Sequence, residues 1–148
     1  MVKLDLPGFD YQISKAEGKI WIFDVIRKKR VVLTPEEWVR QHIVHFFMNQ
    51  LSYPKSLIKI ESGLKYNQLQ KRSDVVVYDR AGRPWLLMEC KAPELKLNQS
   101  TVMQAAVYNN DIKAKYIAIS NGMQHVCYEV KQNVSETELL KSFPGYPR

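Results

Sequence analysis

The chain has 148 residues, 45% of them hydrophobic and 25% charged, ordinary for a soluble globular domain and long enough to bury a core without staples. No stretch approaches a membrane span, the first residues carry no apolar signal region, and Cys90 and Cys127 lack metal-type spacing. The formal net charge of +7 fits an anionic partner such as nucleic acid without establishing one. These features predict one domain, cytoplasmic, with reduced thiols and no membrane partner.

Residues 1–18 read as an irregular lead-in with a short strand around Tyr11–Ile13. Lys19–Ile26 alternates aromatic and branched residues and reads as a strand. Arg27-Lys28-Lys29-Arg30 is its turn and Val31–Leu33 the return, so residues 1–33 form an N-terminal β-hairpin extension. A solvated turn is the simpler reading of the four basic residues, and phosphate contact is the other.

Thr34-Pro35-Glu36-Glu37 opens a long helix: Thr34 suits the N-cap, Pro35 the first helical position, and Glu37 completes a capping box. The helix runs to about Leu51, with Val39, Ile43, Phe46, Phe47 and Gln50 on one face, and Ser52-Tyr53-Pro54 ends it. Leu57–Leu64 is the next strand, followed by a polar connection, Lys65–Arg72.

Val75–Tyr78 and Trp85–Met88 are short apolar runs around Ala81-Gly82 and read as buried strands of one hairpin. With Ala81-Gly82 as a two-residue loop, Arg80 faces Arg83, and counting back sets Asp74 opposite Glu89. Alternation puts Glu89, Lys91 and Asp74 on one face and Cys90 on the other, packed one. A one-residue slip breaks this geometry.

Beyond the hairpin, Leu95–Gln99 is a polar link and Ser100 to about Asp111 a second helix capped by Ser100, on which Gln104 and Tyr108 share a face. Lys115–Ser120 is a strand, Asn121-Gly122 a hairpin turn, and Gln124–Val130 the return. Glu136–Lys141 forms a last short helix, and the tail from Phe143 to Arg148 is loose. The order predicts an α/β fold, a mixed central sheet flanked by helices, with a core over residues 34–130 and a C-terminal tail over 131–148.

Two carboxylates a few ångströms apart repel unless a cation separates them, and hard oxygen ligands suit Mg²⁺ or Mn²⁺. An adjacent ammonium can hold or help deprotonate water, or neutralise charge growing on a phosphorus-bound oxygen. Asp74, Glu89 and Lys91 are therefore equipped for metal-assisted phosphodiester hydrolysis. A bare Glu-x-Lys is more often a surface pair; the opposed Asp, the two buried strands and Pro93 after the lysine favour the chemical reading.

Asp74 followed by Glu89-Cys90-Lys91 resembles the PD-(D/E)XK nuclease signature, and Gln104-Ala-Ala-Val-Tyr108 is similar to the Gln-x-x-x-Tyr motif of its RecB-like branch. The wider pattern includes Pro-Glu-Glu-Trp-Val-Arg-Gln on the first helix, Tyr53-Pro54, Lys71-Arg72-Ser73-Asp74, Glu-Cys-Lys-Ala-Pro and Ser-Asn-Gly. It resembles the N-terminal nuclease domain of type I restriction enzyme R subunits over roughly residues 34–130.

The resemblance implies a restriction-endonuclease-like core and a Mg²⁺-dependent DNA endonuclease, with Mn²⁺ able to substitute. Asp74, Glu89 and the main-chain carbonyl of Cys90 would hold the metal, Lys91 would position water, and Gln104 and Tyr108 would orient the lysine or a phosphate. A first-helix glutamate near the metal would be Glu37 or Glu36, and the capping box is the equal alternative for Glu37. Ser73 replaces the motif's proline. No G-x-x-x-x-G-K-[ST] occurs, so the expectation is a chain without its own DNA motor. Its partners would be DNA, separate motor or specificity subunits, and a second copy where both strands of a duplex are cut. The alternative is a catalytically silent nucleic-acid-binding or complex-assembly module on the same fold.

Overall fold

The computed structural model describes residues 1–60, 75–131 and 137–147. Strands β1 (Ile13–Ala16), β2 (Lys19–Asp24) and β3 (Lys29–Val32) form an antiparallel three-stranded sheet in chain order. The expected N-terminal hairpin is thus a meander: the first strand lies slightly later than Tyr11 and pairs Ile13 with Ile22. Glu17 and Gly18 both take positive φ, 55° and 72°, as the right-handed twist of a two-residue hairpin loop favours.

Helix α1 (Pro35–Asn49) starts where the capping residues predict, with the Glu37 amide donating to Thr34 Oγ1 at 3.1 Å. A 3-10 turn (Lys55–Leu57) leads to β4 (Ile58–Ile60), then β5 (Val75–Tyr78) and β6 (Pro84–Cys90). Helix α2 (Gln99–Ile112) crosses to β7 (Tyr116–Ser120), and β8 (His125–Val130) and β9 (Thr137–Leu140) complete a six-stranded sheet in order β4-β5-β6-β7-β8-β9. β6 and β7 are parallel, as a helical crossover requires, and the other pairings are antiparallel. The fold is α/β with a mixed sheet, as the element order implies.

Side-chain alternation divides the apolar residues between the two faces. Val75, Val77, Leu86, Met88, Cys90 and Ala118 pack with Trp38, Val39, Ile43, Val44 and Phe47 of α1 in the main core. On the other face, Ile117 and Ile119 meet Ala105 and Ala106 of α2, while Tyr108 and Ile112 pack on the cluster of Val76, Leu87 and Ala114. Each central strand is covered on both sides, which is why these strands read as near-continuous apolar runs.

Four expectations are corrected. The β5–β6 connection has a three-residue loop, Arg80–Gly82, closed by the Asp79 amide on the Arg83 carbonyl, with Gly82 at φ 82°. A bulge then takes up one residue, so Tyr78 pairs Pro84 while Val77 pairs Leu86 and Val75 pairs Met88. The cap of α2 is Asn98, whose Oδ1 accepts from the Thr101 amide, and not Ser100. The expected last helix is instead strand β9: a helix of one turn or so is marginal alone, whereas β8 offers an edge to pair with.

Finally, the tail is packed and not loose. Tyr53 donates its hydroxyl to the Pro144 carbonyl at 2.6 Å, Tyr146 donates to the Tyr78 carbonyl at 2.7 Å, and Phe143 stacks edge-on against Phe46 and Phe47. Cys90 and Cys127 are free thiols and buried; burial pushes the Cys127 thiol up to about 12.

Candidate active site

Strand β6 runs through the middle of the sheet with every residue from Trp85 to Cys90 buried. Its last positions turn polar. Glu89 lies beside Ile119 of β7 on the α2 face, with a side chain only 6% exposed. Lys91, just past the strand, is 28% exposed and sets its Nζ 3.9 Å from Glu89 Oε1. A carboxylate in an apolar wall with an ammonium at its mouth can take a cation or steer a phosphate. Cys90 points the opposite way into the main core, as alternation demands.

Helix α2 lies over the face that carries Glu89. Its first turns follow the loop from Lys91, so Gln104 stands about one turn, ~5 Å, nearer that end than Tyr108. Gln104 is exposed, and Tyr108 is half-buried against the Val76, Leu87 and Ala114 cluster. Asp74 and Ser73 lie outside the described residues. The Val75–Met88 pairing is the register on which the Asp74 expectation was built.

Glu37 is placed elsewhere. It sits in α1, which packs on the opposite face of the sheet from Glu89, and both of its oxygens are engaged. Oε1 accepts from Arg27 at 2.9 Å and Arg40 at 2.7 Å, and Oε2 from Arg27 and Gln41, each at 2.9 Å. Asp24, fully buried, joins the same network through Arg27 Nε at 2.6 Å and Gln41 at 3.0 Å, and takes the Ile26 and Arg27 amides. Burial alone would raise the Asp24 pKa, but the Arg27 amide and guanidinium outweigh it and hold the carboxyl below the usual range. Glu36 is partly exposed and reaches Arg40 at 3.4 Å. Arg27 therefore belongs to a buried ion network and not to a free basic turn. The signal was an Asp ending an alternating strand on its inward parity, with an Arg three residues later.

The end of β7 and the turn after it, read from the sequence as a strand end and a hairpin turn, also fasten the backbone around Lys91. The Lys91 amide donates to the Ser120 carbonyl at 2.8 Å, extending the β6–β7 ladder past Cys90. Asn121, buried, donates from Nδ2 to the Leu95 carbonyl at 2.7 Å and accepts from the Met123 and Gln124 amides. It ties the loop after Lys91 to the β7–β8 turn. Gly122 in that turn has φ 86°, which favours glycine, and a Cβ there would lie 2.7 Å from Leu4 Cδ2, so the Leu4 side chain would have to shift. Among the described residues no three His, Cys, Asp or Glu side chains converge as a metal cage.

A mixed sheet whose central buried strand ends in a carboxylate and a lysine, with a crossover helix above them, defines a restriction-endonuclease-like α/β domain. The family model for the N terminus of the type I restriction enzyme R protein matches residues 35–144, and the chain belongs to that family. It is similar in fold to the fragment structure of a putative HsdR subunit of a type I restriction enzyme from Vibrio vulnificus YJ016, at TM-score 0.55 and 19% identity. That match covers 76% of this chain and 24% of the other, so the chain spans about a quarter of that protein's fragment. No curated protein matches the chain. Among the described residues no helix is long and apolar enough to cross a membrane.

Proposed function

We propose that the chain is a Mg²⁺-dependent DNA endonuclease domain that hydrolyses phosphodiester bonds. The observation that carries this reading is the Glu89–Lys91 pair, 3.9 Å apart at the polar exit of a strand otherwise buried on both faces. Family membership supports it, since restriction is a DNA-cutting activity.

The metal set we propose is Asp74, Glu89 and the Cys90 carbonyl. Mg²⁺ is satisfied by one or two carboxylates with waters and substrate phosphate, so a donor set of this size suits it. When bound, the ion would supply charge to polarise the scissile phosphate. Lys91 holds the attacking water and neutralises charge on a non-bridging oxygen. Gln104, exposed on α2, binds a flanking phosphate, and Tyr108 fixes the helix over the site. Glu37 is left out of the set, because a metal there would have to displace two guanidinium groups.

The test is plasmid nicking with Mg²⁺ or Mn²⁺ by wild type, Glu89→Gln and Lys91→Ala, with circular dichroism confirming the fold of each. Wild type should nick, and each variant should lose on the order of 100-fold or more. Cleavage by Lys91→Ala at the wild-type rate overturns the mechanism. DNA or partner subunits bound without any nicking by wild type would favour the silent binding or assembly module.

A further inference from the structure

The three-stranded sheet packs on the core through one end of one face. On β2 Ile22 and Asp24 are fully buried there, while Ile20, of the same parity, and Ile13, paired with Ile22, are exposed; Val31 of β3, also paired with Ile22, packs against the core. Alternation turns Lys19, Trp21 and Phe23 of the middle strand the other way, with Val32 and Arg30 of β3 opposite Trp21 and Phe23 and Ser14 of β1 opposite Trp21. Phe23 is 37% exposed, high for a large aromatic in the centre of a sheet.

Two aromatics two residues apart on a middle strand stand roughly 7 Å from each other. Trp21 is fixed in place, since its Nε1 donates to the Ala16 carbonyl at 3.0 Å across the β1–β2 turn. Arg30 is steadied along the same face by Ser14 Oγ at 3.3 Å. Beside the indole lies a cleft of about 330 Å³ lined by Ala16, Glu17, Trp21 and Arg30. The face therefore offers a rigid ring surface, a guanidinium donor, a carboxylate acceptor and a second cation at Lys19.

We propose that this face is a docking platform for single-stranded DNA, with one base stacked on Trp21, a neighbouring base on Phe23, and Arg30 and Lys19 against the backbone phosphates. Aromatics on an open sheet flanked by cations bind unpaired bases because every base has a π-face, whereas bases inside a duplex cannot reach them. Glu17 and Arg30 supply an acceptor and a donor for the edge of the stacked base. The charge of the face opposes any basic partner, including a second copy of a chain with net charge +7. The platform lies on a separate sheet from Glu89 and Lys91, so it stands without the nuclease reading.

The test is a fluorescence titration of the full chain with a short oligothymidylate in EDTA, so that no metal-dependent cleavage contributes. Trp38 and Trp85 are buried, so Trp21 is the responsive indole. Saturable quenching is expected, with the hairpin duplex of the same length binding more weakly. By anisotropy of labelled oligonucleotide, Trp21→Ala should weaken binding about fivefold or more, and Trp21→Phe should recover most of the loss. Arg30→Ala should weaken binding and lower the slope of log affinity against log salt by roughly one. Wild-type affinity in Trp21→Ala, a preference for duplex, or a self-association that Phe23→Ala abolishes while no oligonucleotide binds, would each overturn the proposal.

Discussion

The Lys91 amide donates to the Ser120 carbonyl at 2.8 Å, so the backbone of the candidate catalytic lysine is the last rung of the parallel β6–β7 ladder. The next residue on that side, Asn121, holds the Leu95 carbonyl. The loop that carries Lys91 out of the sheet is thus fastened at both ends to one turn. The same turn is pinned from below by the N-terminal segment, through the Asp5 amide on the Gly122 carbonyl at 2.8 Å.

Asn121→Ala removes one donor to Leu95 and one acceptor for two amides inside a buried turn. Leaving such groups unpaired costs about 1–3 kcal/mol. The expected outcome is a fall in urea midpoint corresponding to about 2 kcal/mol, with faster hydrogen exchange at the Lys91 amide than elsewhere in β6. An unchanged exchange rate at Lys91 would separate this turn from the site.

The buried ion network gives a second prediction. Glu37→Ala would leave the guanidinium groups of Arg27 and Arg40 without their shared carboxylate, and breaking one side of a buried pair costs roughly 3 kcal/mol. The Asp24 carboxyl is held below its ordinary value, so its contribution is present in full above the unfolded value of 3.8 and is lost as pH falls through the lower folded value. Urea unfolding should therefore steepen with acidification below about pH 4, and Asp24→Asn should remove part of that slope at a cost in stability at pH 7. A purely catalytic Glu37 would leave the urea midpoint untouched in the Ala variant.

How much of this was legible follows physical lines. The hairpin of β5 and β6 was readable because each apolar run is bounded by turn formers and alternation fixes the faces. The loop was misjudged by one residue, and the bulge at Trp85 restored the register at Val75–Met88, so two local departures cancel before the site is reached. The last strand was not legible: Thr137–Leu140 has the composition of a short helix, and only the free edge of β8 decides it. There Lys131 joins Glu129 and Glu138, at 3.2 and 3.0 Å, across the pairing. The nearness of Glu89 and Lys91 was legible from local spacing, because alternation along one strand end puts both on one face. The Asp24–Glu37 network was not, because it joins residues on two elements whose packing no local pattern states.

Two histidines supply a third prediction. His42 donates from Nδ1 to the Trp38 carbonyl at 2.8 Å, and Phe9 meets His42 edge-on at 4.8 Å while stacking on His45 at 4.1 Å. Burial pushes both imidazoles below 6.5; for His42 the Trp38 carbonyl opposes this, and for His45 Asp24 opposes while His42 and Lys55 add to it. The unfolded chain then binds more protons than the folded one below 6.5. Stability is full above that value and declines as pH falls through the folded values. The urea midpoint should drop between pH 7 and pH 5, and His45→Leu should flatten that drop. A midpoint independent of pH over this range would show that neither ring gains a proton on unfolding.

The tail gives the fourth. Tyr146 packs at 5.2 Å from Trp85 and 5.9 Å from Tyr53, with Arg80 over its ring at 5.4 Å, and Phe143 closes on Phe46 and Phe47 at 5.7 Å each. Burial raises the Tyr53 hydroxyl well above its ordinary value, so it stays protonated and donates to the Pro144 carbonyl at any working pH. Removing residues 143–148 would strip a ring from each of two aromatic groups and leave that hydroxyl without its acceptor. Each lost large side chain is worth roughly 2 kcal/mol, and about 1 kcal/mol moves the melting temperature of a domain this size by several degrees. The truncated chain should melt about 10 °C lower or more, with Trp85 emission shifted to the red. Tyr146→Phe, which keeps the ring and loses only the bond to the Tyr78 carbonyl, should cost about 1 kcal/mol. Equal melting of the truncated and full chains would show that the packing of the tail adds nothing to stability.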